Sequence, residues 1–560
     1  MRLSVSRLAG LALLSVASAC AATDAESPVD LSTEKGLAVL LDRLESSYET
    51  ACTEAGEAAL RYRASGMTQG AEALDAAERK LAAVYRDPDL GQAIDRWAGR
   101  NTDTDDPTLL RRIRMWQATR LTAGVDLDPE ISSLARSLER RMASHRYTVG
   151  GRSATRRELE RILAADPDRD LRRSAWMARA ALARDLDGDL RRLILLRALR
   201  SRDLGVHYYH HVVLRSQDHD PTWLFNVLEM MMRRSAPAYT GLAELLRRAA
   251  GVEELAPWDL RYAMTARSTS RGIDAIAKRA FPAGRAESAL RTLVAGIGFD
   301  YGKLPIRIEW ADPLEDSFGV PLRIPDDYRV VLNRDLMTDG PFLYETLFHQ
   351  FGHGLQAVRT ARKEPMFKGY TCVAGARGEA YAEGMADWMA GFIRDPVYLE
   401  KRLGLKPEEI AVVLEDREEW TLLWLRETLL RLGTEFTFYV NPEADLDSRY
   451  RTLYSKALAI TPDPSVPVPW QDDILLVSHP FGSYAPPIGA TIGRGLRMKM
   501  RELFGEDRID NAKVAAWLDE SCYRDGERLP ALERMHERID RAYDFPEYAR
   551  SPGVLEEDSK

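Results

Sequence analysis

Residues 344–355 read Tyr344-Glu345-Thr346-Leu347-Phe348-His349-Gln350-Phe351-Gly352-His353-Gly354-Leu355. The two histidines stand four positions apart, and a helix puts such positions on one face, one turn from each other. The helical pattern runs from about Phe342 to Ala357. Two imidazoles presented this way form a bidentate clamp for zinc, and a catalytic site then needs a third protein ligand and an open position for water. After a loop from about Thr360 to Ala376, a second helix from about Gly378 to Ile393 offers Glu379 and Glu383, with Asp387 one turn beyond. One carboxylate completing the shell, with a second acid orienting a ligating histidine, is the arrangement such sites use. On spacing alone the pair also fits two core histidines of an amphipathic helix, and Glu379 and Asp387 fit a solvated helix face.

Outward from this stretch, helical patterning dominates. Leu171 to Leu204 carries apolar residues at helical spacing among Arg and Asp, and Gly205 follows where a helix stop belongs. Ile306 to Trp310 and Tyr328 to Leu332 are short β-branched or aromatic runs bounded by Pro and Asp, and they read as strands of a small sheet. Helices return downstream, broken by Pro-rich stretches at 462–469 and 480–487. The expected organisation is a signal segment at 1–19, a tether at 20–33, an N-terminal helical region at 34–305, a zinc-site region at 306–550 and a polar tail at 551–560.

Apolar residues make up 45% of the 560 and charged residues 29%, the balance of a folded globular chain and not of a disordered or fibrous one. Arg2 and Arg7 with the apolar run Leu8–Ala19 read as an export signal, too short to span a bilayer. It ends in Ala17-Ser18-Ala19-Cys20, which resembles the bacterial lipobox and implies a lipid on Cys20. The same run also fits an ordinary cleaved signal peptide. The chain is therefore expected to be exported and anchored in the bacterial cell envelope. Without the two arginines the formal charge of −8 becomes −10, which speaks against a nucleic-acid partner. Cys52, Cys372 and Cys522 leave room for one disulfide among three pairings.

The stretch 344–355 resembles, in nearly every letter but one, the signature of the thimet oligopeptidase and oligopeptidase A family of zinc metallopeptidases. Ala256-Pro257-Trp258-Asp259-Leu260 resembles the Pro-Trp-Asp segment of that family, and Leu196 to Tyr209 resembles its Leu-Arg-x-x-x-Ala-x-x-x-Gly-x-x-x-Tyr helix. Gly375-Ala376-Arg377 through Ala382-Glu383-Gly384-Met385-Ala386-Asp387 is more similar to the angiotensin-converting-enzyme family, a relative with the same helical fold. The resemblance implies that His349, His353 and Glu383 bind one Zn2+ and that Asp387 supports them. Glu383 lies 30 residues after His353, several more than is usual in these families. Glu379, at 26, fits the distance better, but Glu383 rather than Asp follows it at i+4. His479-Pro480-Phe481-Gly482-Ser483-Tyr484 resembles a segment whose histidine and tyrosine line the cleft and donate hydrogen bonds to substrate and developing oxyanion. Thr491 stands where a second tyrosine is expected.

The one differing letter is Gln350. The family has glutamate there, the general base that takes a proton from the attacking water and returns it to the leaving amine. Losing a positioned base costs about a hundred- to ten-thousandfold, whereas the zinc ligands are unchanged. Two readings follow. One is a peptidase acting on short peptides, slow or using another carboxylate such as Glu379 or Glu345; the latter also fits a helix-surface acid. The other is a peptide-binding protein that keeps cleft and zinc without turnover. The expected fold is mainly α, with two helical lobes separated by a deep channel and a small β-sheet at 306–333 beside the zinc helix. Tyr328 to Asn333 is expected to offer an edge to an extended peptide.

Overall fold

The computed structural model describes residues 30–99, 104–312, 314, 316–539 and 545. The signal segment, Cys20, most of the tether and the tail at 551–560 lie outside them. Helices carry the architecture, and their starts follow local chemistry. Thr33 caps the first helix, Glu34–Ala64, by accepting from the Gly36 amide, and Asp168 caps the helix Arg169–Asp203 by accepting from Asp170 and Leu171. That second helix ends at Leu204 with Gly205 in the left-handed region, as its sequence pattern predicts. No helix among the described residues is long and apolar enough to cross a membrane.

One large apolar core runs from Val125 to Phe545 and so spans both sides of residue 305. The N-terminal helices build a second core. Leu37, Leu40, Leu41, Leu44 and Tyr48 of the first helix pack with Trp97, Trp116 and, from far along the chain, Met366, Phe367 and Tyr370. A disulfide joins Cys52 of the first helix to Cys372 in the same distant segment, and Cys522 is free and buried. The pairing left open by the sequence is thus the one that ties the N-terminal helices to the 360–378 loop.

A hairpin of β1 (Tyr147–Val149) and β2 (Arg152–Ala154), not read from the sequence, precedes the main sheet. The main sheet has three strands, β3 (Ile306–Ala311), β4 (Phe318–Arg323) and β5 (Asp327–Asn333), in the order β3-β5-β4. β5 runs parallel to β3, with Ile306 opposite Tyr328, and antiparallel to β4, with Val320 opposite Arg329. This corrects one expectation. The segment Tyr328 to Asn333 is the central strand, paired on both sides, and has no free edge to offer. The strand that went unread, β4, forms one edge; its single β-branched residue, Val320, stands between Gly319 and Pro321, and proline is tolerated there because an edge strand has amides to spare. Thr53 of the first helix donates to the Leu322 carbonyl of β4 at 2.9 Å.

The sheet lies against the helix Pro341–Arg359, hereafter the histidine helix. A Cβ on Gly354 would stand 3.0 Å from the Tyr328 ring and 3.2 Å from Ile306, so the close approach depends on glycine there. The Pro-rich stretch 462–469 is irregular, as expected, but Pro486 and Pro487 do not break a helix. They open one, Ala485–Phe504, in the first turn where a missing amide proton costs nothing.

Candidate metal centre

His349 and His353 lie on one face of the histidine helix with ring centroids 4.8 Å apart and planes at 88°. The helix Glu379–Ala390, hereafter the carboxylate helix, brings Glu383 opposite both. His349 Nε2 is 3.3 Å from one carboxylate oxygen and His353 Nε2 is 3.4 Å from the other. Two donors each about 2.0–2.1 Å from a tetrahedral zinc stand roughly 3.3–3.4 Å apart, so these spacings suit such an ion. The three donor atoms all fall within 4.8 Å of one another, and they are the one group of three or more such residues among those described. The imidazole of His353 is 7% exposed and that of His349 28%, so the group opens to solvent on the His349 side.

The charges within the group are coupled. Burial works against ionisation of Glu383, yet His353 and His349 beside it hold its carboxyl well below the usual range. Burial also opposes a charge on His349, but the Glu383 carboxylate outweighs it and lifts that imidazole above its ordinary value. At His353 burial wins and the pKa falls.

The two ligand helices meet through small residues. A Cβ on Gly352 would stand 2.8 Å from the Ala386 Cα, and beyond the carboxylate helix the helix Ala485–Phe504 approaches with Gly489 against Glu383 and Gly493 against Asp387. Any side chain at these glycines would push the carboxylates away from the histidines.

Asp387, expected to support the ligands, is engaged by two arginines. Its Oδ1 accepts from Arg394 at 2.9 Å and its Oδ2 from Arg497 at 2.9 Å. Burial alone would raise its pKa, but the two guanidinium groups reverse this and hold it ionised. His353 Nδ1, the position an orienting acid would occupy, is buried with no hydrogen-bond partner among the described residues. Arg394 lies two helical turns after Asp387, whereas Arg497 comes from 110 residues away and only the fold joins it.

Glu379 sits at the first position of the carboxylate helix and takes a 2.6 Å hydrogen bond from Arg377. Of the two acids left open by the sequence, Glu383 is therefore the one beside the imidazoles. Glu345 is engaged as well, by Arg394 at 3.7 Å and Arg417 at 3.3 Å. Gln350 points toward the start of β4, where its amide nitrogen is 3.5 Å from the Ser317 carbonyl.

His479 and Tyr484 occupy a turn just ahead of the glycine-bearing helix. His479 is exposed and folds over Gly482, whose missing side chain makes room for it. Tyr484 is 1% exposed, with its ring edge-on to His219 at 5.2 Å. Thr491 is buried inside the following helix and donates to the Ile488 carbonyl.

Fold and site together define a mainly α protein whose histidine and carboxylate helices form a His-His-Glu group able to hold a metal ion. Residues 162–300, about a quarter of the chain, match the model of Peptidase family M3. The match contains Leu196–Tyr209 and Ala256–Leu260, two of the segments that carry the resemblance. It ends before the histidine helix, so the site itself stands on geometry. No curated protein matches the chain.

Proposed function

We propose that the chain is an exported, lipid-anchored protein of the cell envelope that binds one zinc ion through His349, His353 and Glu383 and takes short peptides at that site, with hydrolysis impaired by Gln350. The observation that carries this reading is the spacing of the three donors with Gln350 between the two histidines in sequence. A zinc ion held there supplies a Lewis acid that polarises the scissile carbonyl and lowers the pKa of water. The remaining work falls to the chain. Gln350 can hold the attacking water through a hydrogen bond but cannot accept and return its proton. The two carboxylates that could stand in, Glu345 and Glu379, are each engaged by arginine, which supports slow turnover over an alternative base. His479 and Tyr484 are assigned to peptide and oxyanion contacts by resemblance. Nucleic acid is not proposed as a partner.

Two measurements test this. Purified mature protein should carry about one equivalent of zinc by elemental analysis, as a site closed by three protein ligands requires. Gln350→Glu should raise hydrolysis of a short-peptide library by about a hundredfold or more, because the two side chains are nearly isosteric and the ligands need not move. Ordinary peptidase rates in the natural protein would overturn the impairment and favour full hydrolysis through another base, in which case Glu345→Gln or Glu379→Gln should abolish activity.

A further inference from the structure

The turn that carries His479 and Tyr484 is held from inside the molecule by an acid that the metal group does not use. Glu435, on the helix Pro407–Val440, is 1% exposed and accepts a 2.7 Å hydrogen bond at Oε1 from the Phe481 amide. Its Oε2 is buried with no hydrogen-bond partner among the described residues. Phe481 has a φ of 62°, a conformation uncommon for a residue with a Cβ, so something must hold it. Its ring is fully buried among Tyr209, His210, Phe436 and Tyr439, with centroids 5.2–6.2 Å away. The same turn then bonds Gly482 N to the His479 carbonyl and Tyr484 N to the Phe481 carbonyl.

The titratable and charged groups facing Glu435 are Arg431 and Tyr439 on its own helix, Arg197 on the helix Arg169–Asp203, Asp473 just ahead of the turn, and His210 against Phe481. Neither arginine forms an ion pair with it. Arg431 is paired with Asp473 at 2.5 Å and reaches Ser483, and Arg197 is spent on the carbonyls of Leu476 and Val477 and on Tyr439. With no counter-ion in contact among the described residues, burial dominates and pushes the Glu435 carboxyl up to about 8.

We propose that Glu435 is a positioning residue: as a neutral acid it holds the left-handed turn at Phe481 and thereby fixes the exposed His479 of that turn for peptide binding. The inference rests on the peptide-binding reading above, and it adds a proton-dependent brace to it. Ionisation would place an unpaired charge among aromatic rings, and the turn would have to give.

The experiment uses zinc-loaded mature protein, its Glu435→Gln and Glu435→Leu variants, and a fluorescein-labelled pentapeptide mixture titrated from pH 6 to 9.5. Affinity in the natural protein should fall at least tenfold between pH 7 and 9.5. Glu435→Leu, which cannot accept from Phe481, should bind at least tenfold more weakly at every pH while keeping its zinc. Glu435→Gln, which keeps the acceptor and never ionises, should restore binding and lose the alkaline decline. An alkaline decline in Glu435→Gln that follows the natural curve overturns the proposal, as does natural-strength binding by Glu435→Leu. If Glu435→Leu does not fold, the Gln variant alone decides. If no form binds peptide, the peptide-binding reading falls and takes the positioning role with it. The neutral brace is then read separately from thermal unfolding. A folded pKa above the unfolded value gives stability that is full below pH 4.5 and lost as pH rises through about 8, and Glu435→Gln should lack that slope. An identical slope in both proteins would remove the brace as well.

Discussion

His349 and Gln350 are neighbours in the chain with different consequences for chemistry. A ligating imidazole must be deprotonated, so protons and zinc compete for it. The Glu383 carboxylate lifts His349 above the usual imidazole value, which moves that competition to higher pH than for a free imidazole. Zinc affinity, measured against a competing chelator, is expected to hold at alkaline pH and to fall by about tenfold per pH unit once His349 protonates. An affinity flat from pH 8 to pH 5 would contradict the assignment. His353→Ala should drop zinc content sharply, and so should Glu383→Ala, whereas Glu379→Ala should leave it near one equivalent because that carboxylate bonds Arg377 instead. Equal zinc loss in both glutamate variants would restore Glu379 as a candidate ligand.

At the scale of the element, the carboxylate helix is gripped on two sides by glycines. Gly493 is one of them: a Cβ there would stand 2.5 Å from the Asp387 carboxylate, 2.9 Å from the Trp388 amide nitrogen and 3.0 Å from the Gly384 carbonyl. Two of these three neighbours are backbone and cannot rotate away. Gly493→Ala is therefore expected to cost about 1–3 kcal/mol of stability by overpacking and to lower zinc occupancy, since Glu383 lies one turn before Asp387. Gly188→Ala, in the helix Arg169–Asp203, is the control. No atom lies within 4 Å of its Cβ, so the change should be neutral or stabilise by up to about 1 kcal/mol. Thermal melts of the two variants that move together would show that the packing account is wrong.

At the scale of the whole molecule, Glu383 follows His353 by 30 positions, and the 360–378 loop between the two ligand helices reaches the N-terminal helices. Met366, Phe367 and Tyr370 enter their core, Lys368 and Tyr370 bond Glu49 at 2.6 and 2.8 Å, and Cys372 is bonded to Cys52 across 320 residues. The loop between the two ligand helices is in this way fastened to the first helix of the fold. Replacing Cys52 and Cys372 by alanine should lower the unfolding free energy by about 2–5 kcal/mol in denaturant titrations. An unchanged denaturation midpoint would mean that the disulfide restrains nothing beyond what the packing already does.

What the sequence determined by itself is what repeats over one or two helical turns. The i, i+4 pair of His349 and His353, the acids of the carboxylate helix, the helix Arg169–Asp203 with its glycine stop, and the two β-branched strands were all legible, because their signals lie within a few residues of each other. So was Gln350, a matter of one letter. The tertiary structure alone decided which carboxylate meets the histidines, that Arg417 reaches Glu345 and Arg497 reaches Asp387, and which cysteines pair. It also decided that β5 lies between β3 and β4 and has no free edge. These depend on partners tens to hundreds of residues apart, and their choice follows from packing and from the need to pair buried charge, neither of which has a period in the chain.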